Sequence, residues 1–530
     1  MNSKHWMILA ITLALLVALL LPACAKPAPK PAPAATPAPA PTGPQSGGVL
    51  KIITSPGVSN LGLPGPSYLP GETTLARPAA ESLLNFDPKG TGGYVPQLAA
   101  DYKWSSDYLH LTLTLRQGVK FQDGTDCNAD AVKYNLDLYR VGWRPEIKAV
   151  TSVDIIDNYT VRLNLSAYSS SVLQGLCSLA GAIYSPTALK KLGDAAKVNP
   201  VGTGAFKFVS YQTETSLKYA KWDGYWQKGK PYLDGIEFVF IKDRVTQLVS
   251  FKAGEAQVMI GVLPKDVVEM QATGKYNFVA FPTAVMGIAG DSAHPDSIFA
   301  DIRVRRAIAY AIDNEAIAKA LGFGLYKAAN QFFDSTGPYY NKGVVGYPYN
   351  PDKAKQLLSQ AGYPNGFETK ITFNAADSDQ VAMMSAVQGF LSAVGIDAKL
   401  DAADPARLMA LGTGGWRNQM IYHWTPVARG VPPSTSLSHM YQKGGTFDPK
   451  SLWIPNDYNA LYEQAVAEPD PVKATALFQK CSKMVIDDYC VSIPIMQPFG
   501  QRATTKDVRD LDLRVYAMSE WLPENAWLSK

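Results

Sequence analysis

Residues 119 to 134 open Val119-Lys120-Phe121-Gln122-Asp123-Gly124-Thr125 and run on through Asn128-Ala129-Asp130-Ala131-Val132-Lys133-Tyr134. The order of residue types predicts a strand, a tight turn at Asp123-Gly124 and a helix entered through Asn128, whose side chain is a good N-cap. The same alternation of strand and helix extends outward. Leu109-His110-Leu111-Thr112-Leu113-Thr114-Leu115 and Thr160-Val161-Arg162-Leu163-Asn164-Leu165 have the two-residue period of strands with one apolar face. Ile302, Val304, Ala307, Ile308, Ala311 and Ile312 form one stripe on a helix, with Arg303, Arg305 and Arg306 mostly off it and Asp301 as its cap. A further helix is predicted over Asp352 to Ala361, closed by Gly362 and Pro364. Strands and helices intermix without a strict βαβ rhythm, which indicates an α/β fold with mixed sheets.

Three more segments are as distinctive as the first. Asn199-Pro200-Val201-Gly202-Thr203-Gly204-Ala205-Phe206 is a glycine turn, and its glycines serve either a positive-φ turn or a hinge. Trp222-Asp223-Gly224-Tyr225-Trp226 is followed by Gly229-Lys230-Pro231-Tyr232-Leu233-Asp234-Gly235-Ile236, and the Asp301 helix contains Val304-Arg305-Arg306-Ala307-Ile308. The four segments, in this order and spacing, resemble the signature of family 5 extracellular solute-binding proteins of ABC importers, the peptide, opine and nickel group, over residues 48 to 530.

That resemblance implies a two-lobed, periplasmic-binding-protein-like α/β fold with mixed sheets, of type II and the large cluster with an inserted subdomain. Lobe I is expected at 48 to 82, 200 to 288 and 500 to 530, the inserted subdomain at 83 to 199, and lobe II at 289 to 499. It also implies a small organic ligand or oligopeptide held in an interlobe cleft by hinge closure. The expected partners are a membrane permease and its ATPase subunits. A monomer is expected, without cofactor, metal or nucleic acid. A ligand sensor or a chaperone-like peptide binder on the same fold is the alternative, and an extracellular hydrolase a remote one.

Composition agrees with a large folded domain. Apolar residues make up 47% and charged residues 18%, and about 480 residues beyond the leader should divide into more than one lobe. The net charge of +4 falls to +3 without residues 1 to 23, too small a bias for nucleic acid. Gly224 to Lys230 satisfies a phosphate-loop pattern, but Pro231 stands where that loop needs a hydroxyl and two aromatics occupy it. None of the five histidines lies in His-Glu-x-x-His, and no Gly-x-Ser-x-Gly elbow occurs, so catalysis has no motif to rest on.

The N-terminus reads as an export signal. Lys4 precedes the apolar run Ile8 to Leu21, which enters Leu21-Pro22-Ala23-Cys24. The resemblance here is to the bacterial lipobox: a signal peptide at 1 to 23, lipidation of Cys24, and a Pro/Ala-rich tether at 24 to 47 that either spaces the domain from the outer face of the cell membrane or is a disordered leader. Pro22 departs from the usual residue of that motif. Cys127, Cys177, Cys481 and Cys490 remain, and either two disulfides, with Cys481 to Cys490 the shorter closure, or buried free thiols fit the sequence.

Ligand residues come from the resemblance. Peptide-binding members carry Trp-x-x-Asp before Asp-Pro, and the Asp holds the peptide α-amine. Here the stretch is Tyr422-His423-Trp424-Thr425-Pro426-Val427-Ala428-Arg429, so Val427 replaces the carboxylate and Arg429 reverses the local sign. A neutral or carboxylate-bearing ligand is the expectation, with Arg429 either its partner or turned to solvent. Tyr422, His423 and Trp424, with Trp416 and Arg417 upstream, are candidate lining, as are Asn60 and Leu63 in the loop after the first strand and Met286 in Met286-Gly287-Ile288-Ala289-Gly290, where relatives usually carry Phe-Asn.

Overall fold

Two mixed sheets carry the chain, the first formed around a parallel centre and the second with its parallel strands at one edge. A computed structural model describes residues 43–58, 60–64, 72–87, 93–141, 145–427, 433–438, 441–443, 450–513 and 521–529. The leader, Cys24, most of the tether and Arg429 lie outside the described residues. In the first sheet the strand Val49–Thr54 lies parallel to Gly235–Phe240 on one side and Val258–Ile260 on the other. Beyond them Ser216–Lys221 and Phe206–Gln212 extend one edge, and Phe499–Thr505 and Tyr276–Pro282 the other, all antiparallel. Strand periodicity splits the side chains of the first strand: Leu50 and Ile52 enter one core and Ile53 another.

The second sheet is ordered Lys327–Ala328, Ile493–Gln497, Ala284–Gly290, Met420–Pro426, Phe367–Asn374, Ile396–Ala403. Its parallel part joins Phe367–Asn374 to Ile396–Ala403 and to Met420–Pro426. The chain crosses between the sheets at two adjacent points. Tyr276–Pro282 gives way at Thr283 to Ala284–Gly290, and Ile493–Gln497 gives way at Pro498 to Phe499–Thr505. The Thr283 hydroxyl donates to the Pro498 carbonyl at 3.0 Å, tying the crossings together. The expected break between 288 and 289 therefore falls inside a strand of the second sheet, and the one between 499 and 500 inside a strand of the first.

Between Leu83 and Ile183 the described residues form a core of their own around a four-stranded antiparallel sheet, Ala99–Trp104, His110–Leu115, Thr160–Leu165 and Val150–Asp157, covered by the helix Ala129–Val141. Leu111, Leu113, Leu115, Val161, Leu163 and Leu165 face that core, as their alternation predicts. Asn128 caps the helix, its side-chain oxygen accepting the Ala131 N–H at 3.1 Å.

The segment Val119 to Thr125 is not the strand that its pattern predicts. It is a loop with a single bridge between Lys120 and Asp126, turned back by the Gly124 N–H donating to the Phe121 carbonyl. Gln122 explains the departure: its amide nitrogen donates to the carbonyls of Ala79, Gly204 and Phe206 at 3.3, 2.9 and 3.0 Å, satisfying buried acceptors that a ladder would otherwise use. The glycine turn is not a positive-φ turn. Neither Gly202 nor Gly204 has a positive φ. A Cβ at Gly202 would lie 2.3 Å from the Ala79 carbonyl oxygen and one at Gly204 2.5 Å from that of Pro78, so close backbone approach demands glycine.

The Trp222 segment arrives at the same place. Glu81, fully buried, accepts the Tyr225 hydroxyl at 2.9 Å, the Trp226 indole N–H at 2.9 Å and the Thr203 hydroxyl at 2.8 Å. The two aromatics that spoil a phosphate loop are thus donors to a carboxylate. Arg77 lies beside it, donating to Ser82, Gln97 and the Trp521 carbonyl.

The helix Ile302–Ala311 is capped by Asp301, which accepts the Arg303 N–H at 2.8 Å. Arg305 is not off the apolar stripe: it is buried, and its guanidinium donates to the carbonyls of Phe299, Ala300, Tyr489 and Cys490. Four carbonyls around one planar fork offset its desolvation. The helix Pro351–Gln360 begins one residue early, capped by Asn350, and is followed two residues on by Gly362 with φ +94°. All four described cysteines are buried. Cys481 and Cys490 lie in different cores, which leaves the short closure unused. Among the described residues no helix is long and apolar enough to cross a membrane.

Candidate functional site

In sheets with parallel strands, ligands gather outside the carboxyl ends of those strands, where loops and helix starts meet. Both sheets direct such ends at one cavity of about 540 Å³ beside the two crossings. From the first sheet come Gly261 to Pro264, following Val258–Ile260, and Arg244, opening the helix after Gly235–Phe240. The second sheet contributes Asn374 at the end of Phe367–Asn374, then Asp377 and Asp379 at the start of the helix Ser378–Ser392. Thr283, Ala284, Pro498 and Phe499 line it from the crossings themselves.

Three of the candidate ligand residues lie in this lining: Met286, Tyr422 and Trp424. Met286 pairs with Trp424 across adjacent strands, and Tyr422, two residues before Trp424, shares its face. His423 points the other way, into the core beyond the sheet, where its Nε2 lies 2.9 Å from the Tyr441 hydroxyl and its ring packs on Phe332. Trp416 is 2% exposed in that same core. Arg417 is at the surface, paired with Asp296 at 2.7 Å. Asn60 and Leu63 bond to each other within their own loop, at 2.8 and 3.0 Å, and Leu63 packs against the Tyr184 cluster. Neither lines the cavity. Val427, where the resemblance expects a carboxylate, is buried in the same core as Trp416 and donates its N–H to the Thr283 carbonyl.

The polar lining was not anticipated from the sequence. Asp377 caps its helix, accepting the N–H groups of Asp379 and Gln380. Asp379 accepts the Tyr326 hydroxyl at 3.2 Å. Burial, reinforced by the Asp377 charge, holds the Asp379 carboxyl above its ordinary range, while Arg244 acts in the opposite sense. The sequence signal for these residues was the Asn374-Ala375-Ala376-Asp377-Ser378-Asp379 junction, a strand end running into a capped helix.

Two lobes with a cavity at their double crossing define the class of periplasmic binding proteins. The fold is that of the agropinic-acid complex of the binding protein AgaA from A. tumefaciens R10, with TM-score 0.76, 25% identity and coverage of 91% of this chain and 99% of that one. It is equally that of NikA from Brucella suis with Fe(III)-EDTA, at TM-score 0.78, 26% identity and coverage of 89% and 98%. Residues 93–448 match bacterial extracellular solute-binding proteins, family 5 Middle, and the chain belongs to that family. The glutathione-binding protein GsiB of Salmonella paratyphi A is 28% identical over 438 residues, covering 80% of this chain and 79% of the relative. The protein is thus an extracytoplasmic solute-binding component of an ABC importer, binding a peptide or small ligand. Its relatives are binding proteins of transporters rather than enzymes.

Proposed function

We propose that the cavity beside the crossings is the ligand site, with Met286, Tyr422 and Trp424 as its apolar wall and Arg244, Tyr326 and Asp379 as its polar one. The observation that carries this reading is that both sheets contribute lining, so a ligand there interacts differently with open and closed lobes. Closure would turn on Thr283 and Pro498, which makes the proposed lobes 48–82, 200–282 and 499–530 on one side and 284–497 on the other, with the inserted subdomain at 83–199. Arg429, outside the described residues, remains part of the proposed shell through the Trp424 strand that leads to it.

The ligand class is peptide-like or a small organic acid, as with relatives named for glutathione and agropinic acid. The closed monomer delivers it to a permease, and Cys24 carries the lipid that keeps the protein at the membrane. Deleting the gene should abolish uptake of the ligand, and Cys24→Ser should abolish incorporation of labelled fatty acid and release the protein from the membrane fraction. Uptake that persists, or a membrane-bound unlabelled variant, contradicts the respective part.

A further inference from the structure

A second cavity, of about 560 Å³, lies at the pole of the second sheet away from the crossings, where Ala293, Lys443, Trp453, Asn456, Asp457 and Tyr489 line it. The strand Ala284–Gly290 starts at the first cavity and ends three residues before Ala293, so about 20 Å of extended chain separates the two. Trp453 is the one exposed tryptophan among the described residues, at 42%. Its mounting is rigid. The Trp453 N–H donates to the Ser292 hydroxyl at 3.0 Å, and Leu452 and Ile454 on either side are buried. Tyr489 meets the indole edge-on, with ring centroids 5.1 Å apart at 82°. Its own carbonyl accepts from the Arg305 guanidinium at 2.8 Å, and its hydroxyl donates to Asp457.

The rim beside this fixed indole is polar. Lys443 donates to the Asn456 side-chain oxygen at 2.7 Å, which occupies the acceptor of that amide and not its two N–H donors. Asp457 accepts the Tyr458 N–H at 2.8 Å with one oxygen and the Tyr489 hydroxyl with the other. One ammonium and one carboxylate thus flank the ring, so a ligand of either charge meets repulsion as well as attraction, and a neutral one meets neither. An aromatic face with its negative quadrupole suits a ligand whose flat side presents C–H groups, and fixed donors and acceptors at the rim suit hydroxyls on that ligand's edge. A pyranose ring has both. We infer that this cavity binds the pyranose ring of a neutral sugar, its C–H face on Trp453 and its hydroxyls on Lys443, Asn456 and Asp457. The site is separate from the one proposed for the transported solute and stands without it. Outside the cytoplasmic membrane such rings occur as free sugars and in glycan strands of the envelope, and the chemistry of recognition is the same for both.

Saturation-transfer NMR of the purified full chain with glucose, N-acetylglucosamine and the β-1,4-linked tetramer of N-acetylglucosamine tests this. At least one of the three should receive saturation, strongest on the protons of one ring face. Trp453→Ala should weaken binding about tenfold or more, whereas Trp424→Ala, in the first cavity, should leave it unchanged. Lys443→Met and Asn456→Ala, at exposed positions, should each weaken it several-fold, which keeps the test independent of how Trp453→Ala folds. Tighter binding of the tetramer than of either single sugar assigns the site to glycan strands, and equal binding assigns it to free sugars. Absence of transfer to all three probes overturns the inference. So does transfer that survives in Trp453→Ala, Lys443→Met and Asn456→Ala alike, or that is lost in Trp424→Ala instead.

Discussion

Glu81 accepts the indole N–H of Trp226 at 2.9 Å across 145 positions of sequence, and this bond joins the segment before Leu84–Phe86 to the connection between two strands of the first sheet, Ser216–Lys221 and Gly235–Phe240. Tyr225, Thr203 and Gln97 donate to the same carboxylate, so segments that look like independent motifs are the walls of one buried polar cluster. Buried polar groups in such a cluster tolerate little change, because each lost partner leaves another group unpaired.

This cluster should give stability a pH dependence. Burial, with Glu524 beside it, pushes Glu81 up from 4.5 to about 7. Arg77 opposes the shift, and Glu524 is itself raised by burial. Between those values the folded chain holds a proton that the unfolded chain has lost, so stability should fall as pH rises from about 4.5 to 7 and level off above. In thermal melts across that window, Glu81→Gln should flatten the slope. An identical slope in the variant would mean that Glu81 titrates normally.

Trp416 and Trp424, eight residues apart, should separate stability from binding. Trp416→Ala empties a buried site and should cost about 3–5 kcal/mol in denaturant unfolding, with ligand affinity retained by whatever remains folded. Trp424→Ala removes cavity lining and should weaken binding at least tenfold with a much smaller loss of stability. The opposite pattern would put the site elsewhere.

The proposed inserted subdomain also touches the proposed second lobe. The Ser171 hydroxyl lies 3.4 Å from that of Ser434, and the Ser170 N–H donates to the Val466 carbonyl at 3.3 Å. A bulky Ser171→Trp should hold these surfaces apart, weaken apparent affinity several-fold, and enlarge the ligand-bound radius of gyration in solution scattering. No ligand contact is altered, so an unchanged affinity would show that the contact does not take part in closure.

The four described cysteines should behave as buried thiols. Burial raises each above its ordinary range, so thiol reagents should leave the folded protein unmodified and label all four in denaturant without prior reduction. Labelling that requires a reductant would reveal a disulfide.

What was legible in the sequence follows from locality. Asn128, Asp301 and the strand alternation at 110 to 115 and 160 to 165 act within a few residues, and the structure has them as read. Gln122 and Arg305 were misread because the three carbonyls at Gln122 are 43 to 84 positions away and two of the four at Arg305 are 184 and 185 away. The cavity suffers similarly: Arg244, Tyr326, Asp379 and Phe499 meet only through the crossings. Strand period alone could have set His423 apart from Tyr422 and Trp424, since adjacent residues on a strand face opposite sides.

Native mass spectrometry of the full chain, purified under non-denaturing conditions, tests most directly whether a solute is held between the two sheets. The account predicts that the wild type carries one small molecule of fixed mass and that Trp424→Ala, folded to the same degree, has lost it. Retention of that molecule by Trp424→Ala would contradict the placement of the ligand in this cavity.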